Sequence, residues 1–135
     1  MLKPTYNRGM ARKQTILVVE DDEDLRRLFR TALTLAGYDV EEAGDGLEAL
    51  QKIDYSQPDL VVLDVILPEV SGLVVQREIA AHVLNRELPV VFVTGSGLEL
   101  SEIGSACLLR KPVTPDRLVN TVRSCLAAGS QSLRS

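Results

Sequence analysis

The sequence predicts an α/β fold: a (βα)5 chain forming a doubly wound parallel sheet. Three observations predict it. Ile16-Leu17-Val18-Val19, Leu60-Val61-Val62-Leu63 and Val90-Val91-Phe92-Val93 are continuous apolar runs, the pattern of strands buried on both faces of a parallel sheet. Segments with helical periodicity lie between them. The length of 135 residues fits one domain with one core.

The elements follow in order. Residues 1–12 read as a polar, flexible N-terminal tail. The first strand ends at Glu20 and Asp21. Leu25, Leu28, Phe29, Ala32 and Leu33 then recur on one helical face, and Gly37 stops that helix. Residues 38–43 form a short strand. Gly44-Asp45-Gly46 turns into a short helix carrying Leu47, Leu50 and Ile53.

Pro58-Asp59 introduces the central strand, which ends at Asp64. Ser71-Gly72 opens a helix with Leu73, Val75, Ile79 and Val83 inward. Pro89 precedes the strand ending at Thr94. Residues 95–105 hold three Gly and three Ser, so the fourth helix is expected to be short, disordered or replaced by loop. Residues 106–110 form the fifth strand. Thr114 is a good N-cap with Pro115 at N1, and Leu118, Val122, Cys125 and Leu126 face inward behind it. Residues 129–135 read as a flexible C-terminal tail.

Composition excludes several classes. Aromatic residues make up 4% with no Trp, which removes base-stacking platforms, and a net charge of −4 disfavours nonspecific nucleic-acid binding. No apolar stretch reaches the length of a membrane helix. Lys3, Arg8, Arg12 and Lys13 are followed by no apolar h-region, so the first residues are not a signal peptide. A cytoplasmic location is the expectation. Cys107 and Cys125 read as free thiols packed as small hydrophobes. No CxxC occurs and His82 is the single histidine, so no zinc site is expected.

Ligands in open parallel sheets bind at the carboxyl ends of strands. Glu20, Asp21, Asp64, Thr94 and Lys111 would all gather there. Asp64 follows four apolar residues; it is either a nucleophile toward phosphorus held on a rigid strand or a strand-end turn residue. The run from Glu20 to Asp24 is all acidic. A helix N-terminus accounts for Asp22, Glu23 and Asp24, but less well for Glu20 and Asp21. Unit charges ~4 Å apart interact by roughly 4 kcal/mol at an effective dielectric of about 20. Three carboxylates in one crevice therefore call for a cation, and oxygen-only ligation suits Mg²⁺. Thr94 is either a donor to a phosphoryl oxygen or a β-branched strand end. Lys111 would pair with Asp64 or a phosphoryl group. Pro112 behind it is a cis-proline candidate that fixes the local chain direction.

Taken in order, these segments resemble the receiver domains of two-component response regulators. The resemblance rests on Ile16-Leu17-Val18-Val19-Glu20-Asp21-Asp22, Gly44-Asp45-Gly46-Leu47-Glu48-Ala49-Leu50, Pro58 through Asp64, Leu67-Pro68-Glu69-Val70-Ser71-Gly72, Thr94 and Lys111-Pro112. It covers residues 14–127, within a domain placed at 13–128. It implies the flavodoxin-like strand order 2-1-3-4-5. It also implies that Asp64 accepts a phosphoryl group from a sensor histidine kinase or a histidine phosphotransfer protein. Glu20, Asp21, Asp64 and the backbone carbonyl of Ile66 would hold Mg²⁺. Thr94 and Lys111 would contact the phosphoryl oxygens and couple them to loop movement. Such a domain is a signalling switch with self-catalysed phosphotransfer and dephosphorylation, not an enzyme in the usual sense. It would act on a downstream protein; a homodimer is compatible, but nothing in the sequence argues for one.

Two features depart from the family pattern. Thr94 and Lys111 are 17 positions apart, a shorter spacing than the pattern has, and Leu108 stands where the switch aromatic is expected. Phe92-Val93-Thr94-Gly95 resembles a subgroup of single-domain receivers with a Phe-Ala-Thr-Gly motif, although Ser96 and Gly97 replace its following aromatic. A dehalogenase-type phosphatase would need an acid at position 66, which is Ile66. A flavin-mononucleotide binder would need a Ser/Thr/Gly loop where the acids lie. The remaining alternatives are a non-phosphorylated docking module and the receiver piece of a hybrid kinase. The start at Met1 and the short tail favour a stand-alone regulator over the latter.

Overall fold

A computed structural model describes residues 12–65, 77, 88–95 and 107–134. The strands are β1 (Thr15–Val19), β2 (Asp39–Ala43), β3 (Leu60–Asp64), β4 (Val90–Thr94) and β5 (Cys107–Arg110). The described helices are α1 (Glu23–Leu35), α2 (Gly46–Ser56) and α3 (Pro115–Arg134). All strand pairs are parallel and the sheet order is β2-β1-β3-β4-β5. No helix among the described residues is long and apolar enough to cross a membrane.

Strand alternation sorts the core into two layers. Ile16, Val18, Leu60, Val62, Val91, Val93 and Leu109 face α1 and α3, where Phe29, Leu33, Leu118, Val122 and Cys125 meet them. Leu17, Val19, Val61, Leu63 and Phe92 face the other way, toward Ala49 and Ile53 of α2. Each fully buried aliphatic or Phe side chain contributes about 1.5–3 kcal/mol. Burial on both faces explains why β1, β3 and β4 read as unbroken apolar runs.

Local chemistry sets the helix ends. Asp22 caps α1 by accepting from the Leu25 N–H at 3.0 Å. Gly37, at φ 104°, closes it: its N–H donates to Thr34 O at 3.0 Å, and Tyr38 N–H donates to Leu33 O at 3.1 Å. Asp45 caps α2 through Glu48 N–H at 2.8 Å, while the Glu48 carboxylate accepts from Gly44 N–H at 2.8 Å. Thr114 caps α3 by accepting from Arg117 N–H at 3.2 Å.

Several sequence expectations are corrected. Leu28 and Leu47 are exposed rather than inward. On α2 the sheet-facing stripe is Gly46, Ala49 and Ile53, which turns Leu47 to the far side. The last helix runs through Gly129 to Arg134, a stretch read from the sequence as tail. Glycine stops a helix when it turns left-handed; inside one it costs only about 1 kcal/mol. Cys107 and Cys125 are neighbours in the core, with Cα atoms 6.5 Å apart, a separation that a disulfide can span. Both occupy the same apolar layer, one at the start of β5 and the other on the inward stripe of α3. The expected N-terminal tail to residue 11, the helix opening at Ser71-Gly72, the Ile66 carbonyl and the reduced fourth helix fall outside the described residues.

Candidate functional site

β1 leaves the sheet at Val19, which lies level with Ala43 on one side and Leu63 on the other. Glu20 is the next residue. Its N–H makes the last ladder bond, to Ala43 O at 3.0 Å. Its side chain lies level with Asp64 at the carboxyl end of β3. Asp21 follows on the exposed side, and Asp22 is committed to the helix cap. Ligand oxygens of Glu20, Asp21 and Asp64 all lie within 4.8 Å of one another.

β4 and β5 complete the edge. Thr94 is level with Arg110, and the Lys111 N–H donates to Thr94 O at 2.8 Å. That bond carries Lys111 over the end of β4 and back toward the acids. Its Nζ lies 3.4 Å from Asp64 Oδ2 and 3.6 Å from Glu20 Oε1. The lysine stem passes beside Gly95, where a Cβ would sit in ordinary contact, 3.4 Å from Lys111 Cδ. The Lys111–Pro112 peptide is cis.

Three polar side chains at this edge are buried: Glu20 at 1% exposure, Asp64 at 5% and Thr94 at 2%. Burial, then hydrogen bonding and charge from Asp64, push the Glu20 carboxyl up to about 8; the Asp22 N–H, at 3.2 Å, and Lys111 oppose this. Burial lowers the Lys111 ammonium, but Glu20 and Asp64 outweigh it and raise it above the usual lysine value. Glu20 Oε1 is buried without a hydrogen bond. A buried Glu20 oxygen without a hydrogen bond, together with the neighbouring Asp21 and Asp64 carboxyl groups, forms an all-oxygen donor set that fits a hard divalent cation.

The structure thus brings Glu20, Asp21, Asp64 and Lys111 into one cluster, with Thr94 beside Lys111. Leu108 is partly buried against the layer that also holds Phe92. One residue of the site escaped the sequence reading. Arg26, half-buried on α1, donates from Nη1 to the backbone carbonyl of Glu20 at 2.7 Å and from Nε to Glu42 at 3.1 Å. An arginine in a charged helix gives no one-dimensional sign of this. The available clue is its position on the sheet-facing side, one residue beyond Leu25.

The family profile for the response regulator receiver domain matches residues 16–123. The polar-differentiation response regulator DivK of Brucella anthropi is 32% identical over 118 residues, covering 84% of this chain and 96% of that protein. The chain spans about half of a longer relative, "Probable transcriptional regulator ycf27" of Cyanophora paradoxa: 35% identity, 84% of this chain and 48% of that protein. Among solved structures, NtrX from Brucella abortus superposes with a TM-score of 0.82 at 32% identity, covering 91% of this chain and 29% of that one. With the acidic trio, the strand-end threonine and the lysine on one sheet edge, and with this profile spanning most of the sequence, the chain belongs to the response regulator receiver domain family.

Proposed function

We propose that this domain is a phosphoacceptor switch in a two-component phosphorelay, with Asp64 as the acceptor. The observation that carries the proposal is the Lys111 ammonium, 3.4 Å from Asp64 and 3.6 Å from Glu20. A cation tethered by the Thr94 carbonyl at its own backbone N–H would register any new charge on Asp64. A carboxylate oxygen of Asp64 bonds to phosphorus as the P–N bond of a phosphohistidine breaks. The imidazole leaves with the electron pair and takes up a proton. Lys111 then exchanges a carboxylate contact for a phosphoryl oxygen, and the Thr94 hydroxyl donates to another.

Mg²⁺ would be held by Glu20, Asp21, Asp64 and the Ile66 carbonyl, and when bound it supplies the charge that offsets repulsion between carboxylates and phosphoryl oxygens. The donor is a sensor histidine kinase or a histidine phosphotransfer protein, the readout is a protein contact, and the setting is the cytoplasm. Hydrolysis of the acyl phosphate resets the switch. The docking-module reading is disfavoured because such modules usually lack one of these side chains.

Transfer from a panel of phosphorylated histidine kinases tests this, with Asp64→Asn alongside. Label is expected on the wild-type chain and not on the variant. Absence of transfer from every kinase and from small phosphodonors would support the docking module instead.

A further inference from the structure

The acidic loop is held from behind by Arg26. At Glu20 the β1–β2 ladder stops, because the Glu20 N–H is bonded to Ala43 O while its carbonyl points to a side chain. That side chain is the Arg26 guanidinium, whose Nη1 donates to Glu20 O at 2.7 Å and whose Nε donates to Glu42 Oε1 on β2 at 3.1 Å. Arg30 braces the same carboxylate, 3.4 Å from its Oε2. The turn after β2 passes beside this group: a Cβ on Gly44 would lie in ordinary contact, 3.5 Å from Arg26 Nη1.

We infer that Arg26 is a positioning residue that sets how tightly the Glu20, Asp21 and Asp64 carboxylates hold a divalent cation. The inference rests on the cation site of the proposed function. Two properties of the arrangement carry it. First, the planar guanidinium makes both bonds at once from a fixed fork, which fixes the Glu20 peptide and hence the side chain that leaves it. A lysine offers one ammonium point and cannot hold both groups in this geometry. Second, Glu42 offsets part of the positive charge that Arg26 and Arg30 place behind the loop, which limits its repulsion of a bound cation. Groups that orient metal ligands from behind typically change affinity about 10- to 100-fold when altered.

The test is titration of the full chain with Mg²⁺ alone, followed by amide chemical shifts and calorimetry, for wild type, Arg26→Lys and Glu42→Gln. Arg26→Lys is expected to weaken Mg²⁺ about tenfold while the cation-free thermal midpoint stays near wild type. Glu42→Gln leaves the Glu20 carbonyl bond but unbalances the charge, so its weakening should be smaller and should shrink in high salt. If Arg26→Lys fails to fold, Glu42→Gln carries the test, and an unchanged Mg²⁺ affinity there overturns the inference. So does an Arg26→Lys affinity within twofold of wild type. Failure of the wild-type chain to bind Mg²⁺ would overturn the cation site itself and the inference with it.

Discussion

Lys111 Nζ lies 3.6 Å from Glu20 Oε1, a buried carboxylate oxygen that has no hydrogen bond among the described residues. The same ammonium lies 3.4 Å from Asp64. One lysine therefore faces two acidic side chains contributed by the ends of β1 and β3. Removing one partner of a fully buried ion pair costs about 3–5 kcal/mol. Lys111 is partly open to solvent, so Lys111→Met should cost less, roughly 1–3 kcal/mol at neutral pH. Urea unfolding without divalent cation measures this, and Mg²⁺ should recover part of the loss.

Glu20 makes the cation-free protein sensitive to pH. Its folded value is raised from 4.5 to about 8. A raised folded value means that the native state holds the proton while the unfolded chain releases it. The associated stability is fully present below pH 4.5 and is lost progressively up to about pH 8. Urea midpoints measured in chelator should fall across that window, and Glu20→Gln should flatten the slope. A wild-type slope unchanged in the Gln variant would show that other groups cause it.

A disulfide between Cys107 and Cys125 would close a loop across a separation of 18 residues, spanning Lys111 and the start of α3. Chain-entropy reasoning gives about 3 kcal/mol for a loop of this order. Oxidised protein should lose about that much stability on reduction, with two free thiols appearing. A reducing cytoplasm would favour the dithiol form. Thiol counts by alkylation and mass, paired with unfolding curves, decide it; two thiols in non-reduced, air-exposed protein would contradict the pairing.

Gly37 sits at φ 104°, and a Cβ there would meet nothing within 4 Å. The cost of Gly37→Ala is therefore conformational rather than steric crowding by neighbours. It should amount to about 1–2 kcal/mol in unfolding experiments. A neutral substitution would mean that the end of α1 relaxes freely.

The sheet was legible because β1, β3 and β4 are buried on both faces, which leaves continuous apolar runs such as Leu60-Val61-Val62-Leu63. The site's chemical groups were legible for the same reason: an acid directly after such a run must sit at the strand's carboxyl end. Contacts across the chain were not legible. Arg26 and Glu42 are far apart in sequence, and helical periodicity does not say that the guanidinium turns under the Glu20 carbonyl. Likewise, Cys107 and Cys125 each read as core positions, but periodicity on two separate elements does not reveal that they face one another. Leu47 shows the other limit, since a short helix has several near-equivalent apolar stripes and the close packing of Gly46 and Ala49 chose between them.

Asp64 is the proposed phosphoryl acceptor. The direct measurement is intact mass of the full chain after treatment with a small phosphodonor and Mg²⁺, followed by borohydride trapping of the acyl phosphate and peptide sequencing. A gain of one phosphoryl group is expected, lost on hydroxylamine treatment and trapped at Asp64. A trapped product at any other residue, or the same mass gain on Asp64→Asn, would contradict it.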